Sequence, residues 1–388
     1  MPRLWPALAL IAALAACAPT KPPAPPPDRL VLTPASFADL QGWTSDGVGA
    51  ALAAFKRSCT RRLGFADSAA VGPQGLAGTV ADWRPPCAAA ATVDERDDTV
   101  ARGFFEMWFR PYRCANNGTT DGLFTGYYEP ELTGARRRGP GFETPLMKRP
   151  LDLVAVELGD FRADWRGERI AGRVVDGRLK PYETRAQIEA GALDRLNLGF
   201  LWVGDPVAAF FLQVQGSGRI DLPDGSQVRV GFDGQNGWPY VAIGRVMIER
   251  GLIDRENATM PGIRAWLAAH PTETKDILDA NPSYVFFREI AGEGPVGSEG
   301  VVLTPGRSLA VDPKFLPLGA PLWLDAAEDD GITRHLLIAQ DTGGAIRGPV
   351  RGDLFWGHGA DAERRAGTMR ARGSYFLLLP KSVAVPTG

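Results

Sequence analysis

The pattern of apolar and polar positions predicts a mainly β chain with peripheral helices. Residues 124–130 (FTGYYEP) alternate in character, which is typical of a strand with two different faces. The apolar runs 200–203, 210–214, 336–339 and 375–379 are also predicted to be strands. The composition agrees, because 46 glycines and 32 prolines among 388 residues indicate many turns rather than a helical bundle.

Apolar residues spaced three and four apart predict a smaller number of helices. One helix is expected within 46–63, where the apolar face includes Cys59. A second is expected over 94–109, with Asp94 as its cap and with Val100, Phe104 and Trp108 on its buried side. Further helices are predicted at 261–270, 273–280 and 361–370.

The N-terminal 17 residues have the features of a bacterial lipoprotein signal peptide. The apolar stretch 4–16 is too short to span a bilayer as a mature helix, and LAAC at 14–17 fits a lipobox in which Cys17 is lipidated. An ordinary signal peptide cleaved near the alanines is the alternative. Because Ala18 follows the cysteine, we expect an anchor on the periplasmic face of the outer membrane. The Pro-rich segment 18–29 is expected to be an extended tether.

Charge and cysteine content narrow the function classes. A formal net charge of −2 without a concentrated basic stripe argues against nucleic acid as a partner. The three histidines are widely spaced and no Cys-x-x-Cys occurs, so no zinc site is expected and no metal or cofactor is assigned.

Three cysteines remain after the lipobox, and export to an oxidising compartment predicts one disulfide among them. We favour Cys59–Cys87, because Cys59 lies on an apolar helix face and Cys87 follows a Pro-Pro turn. The odd count leaves one thiol, which is either free or paired between molecules.

Three aspartates in the C-terminal part of the chain are candidates for chemistry. Asp341 follows a predicted strand and precedes two glycines, Asp353 lies between Gly352 and an aromatic pair, and Asp312 lies in an apolar stretch. Asp beside Gly most often caps a turn or a helix, so capping is the alternative to catalysis.

Several long motifs resemble the membrane-bound lytic murein transglycosylase A family, and they follow in the family's order. QDTGGAIRG, RGDLFWG and a stretch ending in RAGTMRARGSYFLLLP resemble its three-aspartate domain. Upstream, FTGYYEP, FFLQVQGSGRI, NPSYVFF and SLAVDPKFLPLGAPLWL also match, so the resemblance covers about 124–380 and is weaker before 124.

The resemblance implies a six-stranded double-psi β-barrel that carries the aspartates, and a second β-domain. We therefore expect a discontinuous catalytic domain, 30–130 plus 285–380, with a β-domain inserted at 131–284. The substrate is expected in the groove between them, a common place for a ligand.

The resemblance also implies a reaction. The family cleaves the β-1,4 bond between N-acetylmuramic acid and N-acetylglucosamine without water, because the muramyl C6 hydroxyl attacks C1 and forms a 1,6-anhydro ring. The enzyme is then a carbon–oxygen lyase, and one carboxyl can act as acid and afterwards as base. The family motif assigns this role to Asp353, with support from Asp341 and Asp312. Burial or nearness to Asp341 is expected to raise the pKa of Asp353.

Two motifs are expected to bind the glycan strands of peptidoglycan. The aromatic faces and hydroxyls of 124–130 suit a sugar site, although the tyrosines could equally be sheet packing. In 210–220 the two glutamines are expected on one face of a strand, followed by glycines that let the backbone approach a glycan. The expected binding residues are Thr125, Gly126, Tyr127, Tyr128, Gln213, Gln215, Gly216, Ser217 and Gly218.

Two other functions remain open at this point. An inverting polysaccharide hydrolase would use two of the aspartates and leave reducing ends, and a peptidoglycan-binding lipoprotein would show no activity. Complexes of cell-wall synthesis or division are candidate protein partners.

Overall fold

The computed structural model describes residues 26–165, 168–292, 294–328 and 331–384. The predicted signal peptide with Cys17, and the first part of the Pro-rich tether, lie outside these ranges. Within them, no helix has the length and apolar character that crossing a membrane requires.

Strands dominate the described chain. They are β1 (Leu30–Pro34), β2 (Phe109–Asn116), β3 (Gly122–Glu129), β4 (Glu131–Ala135), β5 (Thr144–Met147), β6 (Val154–Glu157), β7 (Arg169–Val175), β8 (Arg178–Pro181), β9 (Gly199–Val203), β10 (Ser217–Asp221), β11 (Gln227–Gln235), β12 (Val285–Glu289), β13 (Ser308–Ala310), β14 (Pro321–Glu328), β15 (Gly331–Asp341), β16 (Arg351–His358) and β17 (Arg370–Pro380). The helices are α1 (Gly49–Arg62), α2 (Val80–Thr92), α3 (Asp98–Trp108), α4 (Arg185–Glu189), α5 (Pro206–Gln215), α6 (Ile243–Glu249), α7 (Met260–Ala269), α8 (Pro271–Asp279) and α9 (Ala360–Thr368). The mainly β prediction with peripheral helices is confirmed.

The largest sheet closes on itself. Its order is β1-β2-β17-β14-β15-β13-β16-β3, and β3 also pairs with β17. Six strands, β17, β14, β15, β13, β16 and β3, therefore form a closed ring, which we call the barrel. Parallel pairs (β13 with β15, β16 with β3) occur beside antiparallel ones. Its interior is apolar, with Phe124, Leu309 and Leu354 fully buried.

A second sheet has six strands in the order β12-β11-β10-β4-β9-β5, and β6-β7-β8 form a smaller one. The second sheet has its own buried apolar cluster, which includes Leu201, Ile220 and Phe287. Because β12 (Val285–Glu289) pairs with β11, this sheet continues five residues past the expected limit at 284.

A buried ion pair joins the barrel to the second sheet. The carboxylate of Glu129, at the end of β3, is only 1% exposed. It accepts a hydrogen bond from Arg219 Nε of β10 at 2.9 Å and another from Arg229 Nη2 of β11 at 2.5 Å. Two cations thus neutralise one buried carboxylate, and the chain passes from β3 into β4 at this clamp.

Helices α1 and α2 are linked by a disulfide between Cys59 and Cys87, whose Cα atoms lie 5.4 Å apart. This is the favoured pairing, although Cys87 lies inside α2 rather than after a turn. Cys114, in β2, is a buried free thiol.

The expected start of α3 is wrong. Asp97 rather than Asp94 caps the helix, because its side chain accepts hydrogen bonds from the backbone N–H groups of Thr99 and Val100. Val100 is 49% exposed, so it does not belong to the buried face.

The predicted strand 210–214 is also wrong, since these residues belong to helix α5. Asp205 caps this helix by accepting from Val207 N, Pro206 occupies its first turn, and Gly216 ends it with a φ of +81°. The strand prediction rested on an unbroken run of apolar residues. Such a run is equally typical of a short buried helix and of a buried strand, so it does not distinguish them.

Candidate active site

Neighbouring barrel strands place Asp341, Asp353 and Thr125 in one row. On the central strand β13, Ala310 pairs with Asp341 of β15 and with Asp353 of β16. Asp353 in turn pairs with Thr125 of β3. Side chains directly across a sheet share a face, so the two carboxylates and the hydroxyl lie on one surface of the barrel.

Asp353 is a partly exposed carboxyl with an elevated pKa. Loss of solvation raises the pKa to about 6, assisted by the nearby charge of Asp341 and opposed by Arg351 and by a hydrogen bond from Thr125. The side chain is still open to solvent in part, so a substrate can reach it. A carboxyl with such a pKa is half protonated near pH 6 and protonated in roughly one molecule in ten at pH 7.

Asp341 is held in a different way. Its Oδ1 accepts hydrogen bonds from the backbone N–H groups of Ser298 and Thr342 and from the Ser298 hydroxyl, each at 2.9 Å. Its Oδ2 accepts from the Tyr127 hydroxyl at 2.9 Å. Burial nevertheless raises the pKa of Asp341, with these donors acting in the opposite direction.

The side chain of Asp312 accepts hydrogen bonds from backbone N–H groups. It is 1% exposed, and its two oxygens accept from Lys314 N at 3.1 Å and from Gly348 N at 2.8 Å. Asp312 therefore fixes the loop between β15 and β16, which carry the other two aspartates. No hydrogen bond among the described residues joins it to Asp341 or Asp353.

The 124–130 motif divides between two surfaces, as its alternation predicts. The Tyr127 ring packs against Phe355 with centroids 5.2 Å apart, on the aspartate side. Tyr128 points away from it, and its hydroxyl donates to Glu363 of α9 at 3.0 Å. A Cβ on Gly126 would lie 2.6 Å from Trp356 Nε1 and 2.9 Å from the Cα of Ala366 in α9, so this glycine allows the helix to pack closely on β3.

The 210–220 motif does not meet the aspartates. The Gln213 amide is buried and accepts from Arg185 Nη2 at 2.6 Å, while Gln215 Oε1 accepts from Tyr128 N at 3.1 Å. The two amides thus do not share a strand face. Ser217 and Gly218 begin β10, and a Cβ on Gly218 would lie 2.3 Å from Leu212, so the glycine serves packing.

Two residues near Asp353 were not predicted from the sequence as site residues. Arg351, two positions earlier on the same strand face, donates to Thr125 Oγ1 at 2.8 Å. Tyr240 has a pKa raised by burial and then by the charge of Asp353, and a Cβ on Gly344 would lie 3.6 Å from its Cβ. The i, i+2 spacing of Arg351 and Asp353 was a usable signal, whereas Tyr240 comes from a distant part of the chain.

A cavity of about 630 Å³ lies on the Tyr128 side of β3. Its polar lining includes Glu131, Asp205, Arg264 and Glu363, and none of the three aspartates contributes to it. The described residues contain no group of three or more His, Cys, Asp or Glu side chains arranged to hold a metal ion.

Comparisons with known proteins identify the family. Two family models match, the MltA specific insert domain over residues 123–288 and the 3D domain over 307–379. The crystal structure of MltA from Neisseria gonorrhoeae in its monoclinic form is 34% identical with a TM-score of 0.75, and the match covers 92% of this chain and 94% of that one. The membrane-bound lytic murein transglycosylase from Agrobacterium tumefaciens is 32% identical with a TM-score of 0.81, covering 90% and 98%.

A curated relative agrees. Membrane-bound lytic murein transglycosylase A of Vibrio cholerae is 36% identical over 204 residues, which are 50% of this chain and 55% of that protein. The chain thus spans about half the length of this relative. Together with the two solved structures, which match along nearly their whole length, this assigns the chain to the membrane-bound lytic murein transglycosylase A family.

Proposed function

We propose that this protein is a lytic murein transglycosylase. It cleaves the β-1,4 bond between N-acetylmuramic acid and N-acetylglucosamine without water and leaves 1,6-anhydromuramyl ends. The observation that carries the proposal is Asp353, a partly exposed carboxyl whose pKa is raised to about 6 beside a second carboxyl of the same row. Membership of the family supports the substrate.

Asp353 acts twice in this scheme. The protonated carboxyl gives its proton to the glycosidic oxygen as the bond from C1 to that oxygen breaks. The resulting carboxylate then takes the proton of the muramyl C6 hydroxyl as O6 bonds to C1. Protons balance, and the ring closure is intramolecular, which supplies a high effective concentration of the attacking group.

Asp341 assists by charge. Four donors point at its two oxygens and stabilise the carboxylate form, against burial, which raises the pKa of Asp341 overall. In its charged form Asp341, which lies across β13 from Asp353, raises the pKa of Asp353 and favours positive charge that develops at C1. Asp312 contributes indirectly, by fixing the loop that joins β15 to β16.

Glycan binding is assigned mainly to the aromatic residues beside the row. Tyr127 and Tyr240 are both half-buried near the aspartates, and aromatic rings of this kind suit a sugar. The amide oxygens of Gln213 and Gln215 already accept hydrogen bonds within the protein, so a glycan would meet these residues through their NH₂ groups.

The proposal also covers the domain arrangement and the membrane anchor. The catalytic domain would comprise residues 30–130 and 285–380 and contain the barrel, with a double-psi topology, and the chain between would be an inserted domain whose sheet also takes in β12. Cys17 would anchor the protein to the outer membrane on the periplasmic face. The names of the relatives, which are membrane-bound enzymes, support the anchor.

The test is product analysis on isolated murein. The body beginning at Asp28, without the lipobox, is incubated with murein and the soluble fragments are analysed by mass spectrometry. We expect 1,6-anhydromuramyl products, with full activity in EDTA. Reducing-end muramic acid as the main product would instead show a hydrolase, and no release of fragments would show a binding protein.

A further inference from the structure

The hydrogen bonds around Thr125 have only one consistent direction. Arg351 Nη2 lies 2.8 Å from Thr125 Oγ1 and can only donate. The Thr125 hydroxyl therefore accepts from Arg351, and its single proton is directed to its other partner, Asp353 Oδ1. A chain of three side chains thus runs from a cation, through a hydroxyl, to one oxygen of the acid/base carboxyl.

Arg351 is itself fixed by the backbone. Its Nη1 donates to the carbonyl oxygen of Leu123 at 3.2 Å, and also to that of Gly352. These carbonyls belong to β3 and β16, the strands that carry Thr125 and Asp353. The planar guanidinium spans both strands, a geometry that the single ammonium of a lysine does not reproduce.

We infer that Arg351 is a positioning residue for the proposed reaction, and that through the Thr125 hydroxyl it assigns the two oxygens of Asp353 to different tasks. Oδ1 is kept as a hydrogen-bond acceptor, and Oδ2 carries the proton that is transferred. The inference rests on the proposed function, since it needs Asp353 to be the acid/base group.

Proton transfer through one oxygen has a mechanistic consequence. Oδ2 gives its proton to the leaving glycosidic oxygen, and the same Oδ2 takes the proton from the C6 hydroxyl when O6 bonds to C1. Because Oδ1 stays occupied by Thr125 throughout, the carboxyl does not have to rotate between the two transfers. Orientation of this kind contributes to the rate of the chemical step more than to the affinity for substrate.

The charge of Arg351 provides an independent readout. The guanidinium lowers the pKa of Asp353, and the first step needs Asp353 protonated, so kcat/KM falls as pH rises through that pKa. Removing the cation raises the pKa, and the falling limb of the profile must then move to higher pH. A variant that merely weakened the fold would leave this limb where it is.

The experiment compares Arg351→Met, Arg351→Lys, Thr125→Val and Thr125→Ser on soluble murein fragments across pH. We expect Arg351→Met and Thr125→Val each to lower kcat by roughly 10- to 100-fold with little change in KM, which is the scale of a misplaced reacting group. Both should move the falling limb to higher pH, since each removes an interaction that lowers the Asp353 pKa. The kcat of Thr125→Ser should stay within a few-fold of the wild-type value. In Arg351→Lys the falling limb should stay at the wild-type pH, but kcat should decrease.

Two controls make the outcome decisive. In the double variant, Arg351→Met should cost little further kcat once Thr125→Val is present, because both act through one hydroxyl. Arg372→Met, which removes an exposed arginine that pairs with Asp121, should behave as wild type.

The inference is overturned if Thr125→Val has wild-type kcat, or if Arg351→Met lowers kcat without moving the limb. A lower melting temperature together with an unmoved limb would show a structural role. Failure of the proposed function is distinguished by the products of the wild-type protein. In that case the wild type would release fragments with reducing-end muramic acid, or would release no fragments.

Discussion

Asp341 and Asp353 lie in one row of the barrel, yet their surroundings differ. Asp341 accepts four hydrogen bonds, two of them from backbone N–H groups. Asp353 accepts one from a side chain, that of Thr125, and has a cation nearby. Protonation of a carboxylate that accepts several hydrogen bonds weakens those bonds and is therefore costly in free energy. A carboxylate that accepts few hydrogen bonds can gain and lose a proton at a smaller cost in free energy. In the proposed mechanism, this difference in hydrogen-bond donors separates the supporting carboxylate of Asp341 from the acid/base carboxyl of Asp353.

The comparison is tested most severely by Asp353→Asn. Asparagine keeps the size and much of the hydrogen bonding but cannot transfer a proton, so turnover should fall by about 10⁴-fold or more, the upper end for general acid–base catalysis. Murein binding should survive. Substantial remaining activity would mean that the wrong aspartate has been assigned; melting temperature and murein pull-down serve as controls.

Asp341→Asn should have the next largest effect, roughly 10- to 100-fold on kcat, because the supporting charge is lost while the shape stays. It should also move the falling limb of kcat/KM to lower pH, since Asp341 raises the pKa of Asp353. This shift is opposite to that of Arg351→Met. A dead, folded Asp341→Asn beside an active Asp353→Asn would reverse the two roles.

The same pair should differ in stability. The pKa of Asp353 in the folded protein is about 6, above that of a free aspartate, so the folded state holds the proton more tightly and loses stability as pH rises from about 4 to 6. Asp353→Asn removes this loss and should raise the melting temperature at pH 7 but not at pH 4. Asp341→Ala should lower it, because several donors lose their acceptor. Equal pH dependence in wild type and Asp353→Asn would contradict the elevated pKa.

A smaller effect on catalysis is expected at Asp312. Asp312→Asn keeps one acceptor oxygen and places an NH₂ group against the other backbone amide, so it should lose some stability but retain activity within a few-fold. Asp312→Ala should cost about 1–3 kcal/mol of unfolding free energy, the usual penalty for unsatisfied buried donors. Chemical denaturation measures this, and a large loss of kcat in Asp312→Asn at unchanged stability would give Asp312 a direct catalytic role.

The smallest effect on activity is expected from substitution of the lipobox cysteine. Cys17→Ala should release the protein from the membrane fraction with its activity on isolated murein unchanged, because the barrel lies outside the anchoring segment. A variant that still pellets with membranes would show that the lipobox does not anchor the protein.

Much of the barrel was predictable from sequence because its motifs are long and local. The strand with Thr125 and Tyr127, and the aspartates on either side of the β15–β16 loop, could be located by alternation and by glycines. Helix α5 was not, although Asp205, Pro206 and Gly216 are ordinary boundary signals; the apolar run between them outweighed those signals. Cap residues at both ends thus distinguish a short buried helix from a buried strand when the apolar run does not.

The parts that sequence could not supply depend on pairing between distant segments. Arg351 can reach Thr125 only because β16 pairs with β3, and this pairing brings the two side chains within hydrogen-bond distance. Tyr240, in the loop after β11, comes near Asp353 because it packs beside Gly344 in the loop between β15 and β16. Asp312 looked equivalent to the other aspartates by motif, and only its amide partners reveal that it fixes a loop.

The Glu129 clamp limits how freely this architecture can be recombined. Its carboxylate ends a barrel strand, but both of its cationic partners, Arg219 and Arg229, belong to the second sheet. A chimera that receives a different insert without two matching arginines would leave a buried charge unpaired, at a cost of about 3–5 kcal/mol. The insert is therefore not an interchangeable module, and any functional transplant has to carry β10 and β11 together with the strand that holds Thr125.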